Sequence, residues 1–508
     1  MRIKIWIALL LTSVSAMAQQ PRKVTEKFFP DPELRINTPL FEKSSGFTSY
    51  KEMITFLEEL RMKYPELIRI EAAGKTQKGK MIPLVRIGSS DSQERKVNVL
   101  LLGRVHGNEP IGTEGLLYFM QQLVENPYQK SYLNKMNFYV MPMVNIDGGE
   151  KNNRATANGI DLNRDQSKLD SPEAIAMHTA ANRVNPDIFV DFHEYQPMKS
   201  DLYYISDGKI LSNPLDVMFL YSSHPNVSPA VQKPVTEMFL PAIGKRMDQN
   251  GLRHQVYYTS ATVNGDVKFT KGGASPRSSA NIMALKNCIS VLVEVRGIGL
   301  DRIAAKRRLN TVYLFADELA RVAYDHSKAI KEAIHTAENE KRDVSVEFTR
   351  PNNPKQEVEF LDMIKNELVT LPVFMQFSNE TTSSKNRERA DAYYLLPSEK
   401  KAIAKLQLFG IETTLLDREV TLPLQGYGVL SAKESAENIS GMSPLVVKTE
   451  LFSRKVTLPA GTVRIDMNQR YGNLIATLLE PESPNGFVNY RVINGASLKE
   501  LPIYREIK

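Results

Sequence analysis

The strongest restriction on the fold of this chain comes from three short apolar runs, at 97–102, 188–192 and 288–295. Each is apolar at nearly every position, so neither face can sit in water. They read as strands buried on both sides. Further strands are expected at 68–72, 82–87 and 137–144. Stretches with helical spacing lie between and around them, at 48–62, 112–124 and 172–184. The last of these opens with Ser171 as N-cap and Pro172 at the first helical position. A long helical stretch over 302–337 closes the unit. A sheet buried on both faces needs helices on both, so the expected class is α/β: a mixed sheet flanked by helices.

The rest of the chain divides by texture. Residues 1–18 carry Arg2 and Lys4, an apolar run from Ile5 to Leu11, and Ala16 and Ala18 before an expected cut. That is a secretory signal peptide, too short for a membrane anchor. The mature chain is therefore expected to be exported, periplasmic or secreted, with no transmembrane span. The catalytic domain is expected over 19–336. Residues 337–357 are rich in charge, Asn and Pro, and read as a linker. Short β-like pieces fill most of 358–508, expected to be a β-rich C-terminal accessory domain, with a helix at 398–408.

Composition excludes several classes. The chain is 42% hydrophobic and 24% charged, which supports a full core and argues against disorder. Its net charge of +7 over 508 residues forms no basic stripe, so nucleic acid is not an expected partner. The single cysteine, Cys288, forbids an internal disulfide and any four-cysteine metal site. A metal here needs His, Asp or Glu.

Those residue types gather at expected strand ends. The run 97–102 leads into His106 and Glu109, three apart in one loop. The run 188–192 leads into His193. Two histidines and a glutamate make a three-ligand catalytic zinc set with one position left for water. His106 by itself reads equally well as a surface or core histidine. Glu194 follows His193, but neighbours on a strand face opposite ways, so the two should diverge. His178, His224 and His254 read as structural or surface residues. Residues 145–165 form a glycine-marked loop holding Arg154, Asp161, Asn163 and Arg164. An arginine fork there suits a carboxylate, or else serves as a polar turn with surface ion pairs. Glu294 ends the run 289–293 as either a paired core charge or a catalytic base.

Taken in order, these motifs resemble the zinc metallocarboxypeptidases of the carboxypeptidase A type. The order is His-x-x-Glu, Asn-x-Asp-Gly, Gly-x-Asp-x-Asn-Arg, a His at a strand end, and a Glu closing a late strand. The resemblance covers about residues 45–335. It implies that His106, Glu109 and His193 hold one zinc ion and that Asp161 orients His106. It implies that Arg154 polarises the scissile carbonyl, Asn163 and Arg164 grip a terminal carboxylate, and Glu294 is the general base. The implied substrate is a peptide with a free C-terminal carboxylate. A zinc-dependent deacylase acting on a small acylated amino acid or an envelope peptide is the alternative. One departure stands out. The family's tyrosine before the base glutamate is missing from 264–284, where Gly272, Gly273 and Arg277 lie instead. Arg277 reads either as a positive charge in the pocket or as a loop residue in an ion pair. The segments around Leu458-Pro459-Ala460-Gly461 and 478–483 resemble the tail of large exported bacterial relatives, which implies no known chemistry.

Overall fold

The computed structural model describes residues 20–89, 94–436, 442–495 and 499–507. The expected signal peptide lies outside the described residues.

An eight-stranded sheet forms the centre. In spatial order its strands are Ile68–Lys75, Met81–Ile87, Met136–Met141, Val97–Gly103, Ile188–Tyr195, Ile289–Arg296, Val217–Tyr221 and His254–Val256. The four central strands run parallel to one another, and the strands next to them, Met81–Ile87 on one side and Val217–Tyr221 on the other, pair with them antiparallel. The sheet is therefore mixed and the class is α/β. Every residue of Ile188–Tyr195 is buried, as a strand covered on both faces requires. Helices Ile111–Glu125 and Ala305–Asp325 are among those that cover it. Helix Pro172–Val184 starts where the Ser171 hydroxyl accepts from Ala174 N at 3.3 Å.

Three expectations on elements need correction. The strand placed at 137–144 ends at Met141, because Asn145 instead caps a short helical turn, Ile146–Gly149. The stretch 302–337 is two helices, Ala305–Asp325 and Ser327–Glu338, broken at His326. Residues expected to form a linker contain the strand Val344–Thr349 and the start of Asn352–Asp362. Their polar side chains suit an edge ribbon, which local composition does not separate from a loop.

That ribbon joins the two halves of the chain. A five-stranded sheet runs Leu211–Ser212, Asn352–Asp362, Glu367–Phe377, Asp266–Lys271, Tyr258–Val263. Lys268–Lys271 pairs in parallel with Phe374–Phe377. Further on, a six-stranded sheet includes the long hairpin Val420–Glu434 and Leu445–Leu458, so the C-terminal region is β-rich. Its helix Lys400–Leu408 and the buried helix Gly472–Leu479 pack into the same apolar core as the central sheet.

Candidate metal centre and active site

Three parallel strands bring the chemistry together at their carboxyl ends. After Val97–Gly103 the chain turns sharply at Arg104, whose φ is 53°. The Arg104 guanidinium then straps the loop, donating to the carbonyl oxygens of Gly107 at 2.9 Å and Gly149 at 3.0 Å. Gly107 has no alternative: a Cβ there would lie 2.2 Å from the Gly148 carbonyl carbon. This tight loop aims His106 and Glu109 at one point. His193 reaches it from Ile188–Tyr195.

The His106, Glu109 and His193 ligand atoms all lie within 4.8 Å of one another, and all three residues are buried. No other such group of three occurs among the described residues. The two Nδ1 atoms are 3.0 Å apart. Glu109 Oε1 lies 2.8 Å from His106 Nδ1, and Oε2 lies 2.9 Å from His193 Nδ1. Each ring is fixed from behind by a carboxylate: His106 Nε2 to Asp161 Oδ1 at 3.0 Å, His193 Nε2 to Asp191 Oδ2 at 2.8 Å. Each carboxylate accepts a hydrogen bond from Nε2–H, which leaves the Nδ1 lone pair of each neutral ring pointing at one spot. Two lone pairs and a carboxylate crowded together in a buried site are a donor set that fits a divalent cation.

Around this point the cleft is mostly cationic. Arg154 donates from Nε to Asp161 Oδ2 at 3.0 Å and from Nη1 to Glu109 Oε1 at 3.1 Å. Asn145 fixes the Arg154 backbone, its Nδ2 donating to the Arg154 carbonyl at 3.1 Å. Asn163 Oδ1 accepts from Ser279 N at 2.8 Å, which turns its amide nitrogen the other way. Arg164 donates to the Asn163 carbonyl at 2.8 Å. Asn163, Arg164 and Arg277 all line the cleft, which has a volume of about 540 Å³. Glu294 stands beside His193 in register, on the same face of the sheet. Burial pushes the Glu294 carboxyl up to about 7; Glu109 pushes the same way, and His193, His106 and Arg154 oppose it.

Glu194 does diverge from His193. Its Oε1 accepts from Ile111 N at 2.5 Å and its Oε2 from Arg308 at 2.5 Å, on the opposite face. The spare histidines lie elsewhere. His178 stacks edge-on against Phe409, His224 against Phe348, and His254 meets Asp248 at 3.2 Å.

Three features of the site escape the motif reading. Asp191 holds His193, and its position two residues earlier on one strand places both on one face. Strand period alone carries that signal. Tyr257 lines the cleft, and burial, with Glu294 nearby, pushes its hydroxyl up to about 12. No local motif marks it. Arg350, Phe360, Gln376 and Ser378 also line the cleft, although all follow residue 337. They arrive through the sheet that joins the two halves.

The mixed sheet and the buried His–Glu–His trio at its strand ends fit a metal-dependent enzyme. Residues 53–300 match the model for the zinc carboxypeptidase family, Peptidase M14. The matched region is similar to this family, and with the relatives below it supports a zinc metallocarboxypeptidase, a metal-dependent hydrolase of peptides. Among its relatives is carboxypeptidase 2 of Trichophyton equinum, 26% identical over 480 residues, covering 91% of this chain and 87% of the relative. Carboxypeptidase E of Caenorhabditis elegans is 31% identical over 134 residues, covering 23% of this chain and 28% of the relative. Carboxypeptidase A from Helicoverpa armigera, a solved structure, is 17% identical with a TM-score of 0.44, covering 57% of this chain and 77% of that one. No helix among the described residues is long and apolar enough to cross a membrane.

Proposed function

We propose that this protein is an exported exopeptidase that removes the C-terminal residue of peptides, with one zinc ion held by His106, Glu109 and His193. The observation that carries this reading is the meeting of those three side chains within 4.8 Å, beside Glu294 and a carboxylate-gripping pair. Zinc bound there supplies a Lewis acid and a water acidic enough to react near neutral pH.

The chain's own residues do the rest. Arg164 and the Asn163 amide bind the terminal carboxylate of the peptide. An internal peptide bond would leave the Arg164 charge without a partner, which favours chain ends. Glu294 takes a proton from the attacking water and returns it to the leaving amine. Arg154 donates toward the oxygen that becomes negative as the carbonyl is attacked, a contribution typically worth about 10²–10³ in rate. Its second partner, Asp161, orients both Arg154 and the His106 ring. Asp191 does the same for His193.

A paired assay tests the reading. A short peptide with a free carboxyl terminus should be shortened by one residue, and its amidated form should survive. Treatment with a chelator should stop the reaction, and added zinc should restore it. Equal cleavage of the amidated peptide would refute the exopeptidase assignment.

A further inference from the structure

The loop at 272–278 occupies the stretch where the family's tyrosine is missing, and the C-terminal half of the chain grips it at two points. At the first, Gly272 has a φ of 73°, and an added Cβ would lie 2.5 Å from the Asn379 Cβ. The Gly273 carbonyl accepts from Ser223 N at 3.3 Å, and the Ser223 hydroxyl donates to the carbonyl of Ser378. At the second, the Ser275 hydroxyl donates to Asn485 Oδ1 at 2.6 Å. Gly273, Ser275, Arg277 and Ser278 all line the catalytic cleft, so each grip acts on a wall of the active site.

The Asn485 amide is fixed by its surroundings. The residue follows the buried helix Gly472–Leu479 and is 8% exposed. Its φ is 64°, a left-handed conformation that asparagine tolerates better than most side chains. Its backbone N donates to Asn489 Oδ1 at 3.0 Å, and its Nδ2 donates to the Tyr490 hydroxyl at 2.9 Å. That leaves Oδ1 facing Ser275. Beyond Ser275 the chain closes a turn, in which the Ser275 carbonyl accepts from Ser278 N at 3.2 Å. Arg277 is the third residue of that turn, and its own carbonyl accepts from Gln166 N at 3.3 Å. Ser279 follows, donating its backbone N–H to Asn163 Oδ1 at 2.8 Å. Arg277 is therefore suspended between Asn485 on one side and Asn163 on the other. Burial lowers the Arg164 guanidinium, Asp161 opposes, and Arg277 lowers it further, as a cation close by does.

Resting on the exopeptidase reading, we propose that Asn485, from the C-terminal half, is a positioning residue for binding the terminal carboxylate. Through Ser275 it sets the turn that carries Arg277, and so places the second cation that a carboxylate held by Arg164 meets. Two guanidinium groups this close repel each other, so Arg277 stays beside Arg164 only while its turn is tied. The tie is the hydrogen bond between Ser275 and Asn485, which joins the two halves of the chain. The metal ligands and Arg154 are fixed by other bonds. Loosening the tie therefore weakens carboxylate binding and spares the chemistry.

The test compares wild type with two variants on an N-blocked dipeptide that has a free carboxyl. Asn485→Gly keeps the left-handed backbone and removes the amide. Ser275→Ala removes the same bond from the catalytic side. Each should raise KM about tenfold with kcat within about threefold, the pattern of lost binding rather than lost chemistry. Inhibition by 3-phenylpropanoate, a plain carboxylate, should weaken by the same factor as KM rises. Inhibition by acetohydroxamic acid, which binds zinc and carries no carboxylate, should not change. The double variant should do no more than either single one. Circular dichroism and zinc content check each protein, and Ser275→Ala decides the matter if Asn485→Gly fails to fold. Folded variants with unchanged KM and unchanged carboxylate inhibition, a loss confined to kcat, equal weakening of both inhibitors, or single effects that multiply in the double variant would overturn the proposal. These results would leave the exopeptidase reading intact if wild type still needs the free carboxyl. A wild type that leaves the dipeptide uncut, or cuts its amidated form equally, would overturn that reading and this one together.

Discussion

His106 and His193 face each other through their Nδ1 atoms at 3.0 Å, while Asp161 and Asp191 hold the opposite nitrogens. In neutral rings so held, both Nδ1 atoms carry lone pairs, and the pair repels unless a cation stands between them. Burial opposes charge on His193, yet Asp191 and Glu109 hold its ring well above the ordinary histidine value. The metal-free site therefore keeps a proton that zinc must displace. Zinc uptake near pH 7 is expected to release about one proton, and affinity should fall as pH falls. Titration calorimetry in buffers of different ionisation enthalpy measures this directly. Uptake with no proton release would contradict it.

Among the described residues, Asp191 meets the site through the His193 ring and the Ser279 hydroxyl, which donates to the same Oδ2 at 2.5 Å. Asp191→Asn removes the charge and keeps the shape. Zinc affinity should drop about 10–100-fold with the fold retained. Competition with a chromogenic chelator reads the affinity, and unchanged affinity would remove Asp191 from the metal site.

Glu294→Gln separates metal binding from proton transfer. The variant should retain zinc and lose about 10²–10⁴ in kcat. Metal content by mass spectrometry, taken beside the rate, distinguishes this from loss of the ion. Near-normal turnover would exclude Glu294 as the base.

The pH behaviour follows from the same carboxyl. Burial raises Glu294 to about 7 in the metal-free protein. A raised carboxyl favours the protonated form in the fold. Its contribution to stability is full below the ordinary glutamate value and is lost as pH rises toward about 7. In metal-free Glu294→Gln this decline should be missing from urea unfolding curves. The proposed base acts in its ionised form, so kcat/KM is expected to rise with pH along an acid limb. A cation bound nearby favours the carboxylate, which sets that midpoint below the metal-free one. A pH–rate profile for wild type with no acid limb would argue against a proton-accepting glutamate.

Glu194 and Arg308 form a pair with side chains 1% and 4% exposed, behind the metal loop. Arg308→Met leaves a buried carboxylate uncompensated and should cost about 3–5 kcal/mol of stability. Adding Glu194→Gln should recover part of that loss. Denaturant unfolding of the single and double variants checks the coupling, and simple additivity would mean the pair does not interact.

Much of this fold is legible because its strongest signals are local. The apolar runs at 97–102 and 288–295 become Val97–Gly103 and Ile289–Arg296, since a strand buried on both faces admits few polar residues. Helix Pro172–Val184 is marked by its own cap. What local pattern hides is non-local. The hairpin Tyr258–Val263 and Asp266–Lys271 is polar and half-exposed, although Asn264-Gly265, both at positive φ, marks its turn. Phe360 and Gln376 reach the cleft only because Glu367–Phe377 pairs with Asp266–Lys271. Nothing near them in the chain announces that pairing. The candidate site divides the same way: His106, Glu109 and Glu294 stand out by residue type at strand ends, whereas Asn485 reaches the cleft loop only through the packing of the C-terminal half.

That shared sheet makes the C-terminal region part of the enzyme's body. The apolar core runs without a break from the central sheet into helices Lys400–Leu408 and Gly472–Leu479. Lys286 reaches across to the Phe409 carbonyl at 3.0 Å, and Asn182 to that of Leu408 at 2.9 Å. Cutting the chain after residue 339 would expose the apolar side chains that these helices cover. It would also strip one wall from the cleft. The shortened protein is expected to be insoluble, or to unfold without cooperativity if recovered, because a surface of that size draws aggregation. A soluble 20–339 fragment with a sharp thermal transition and full peptidase activity would show that the two halves are independent after all.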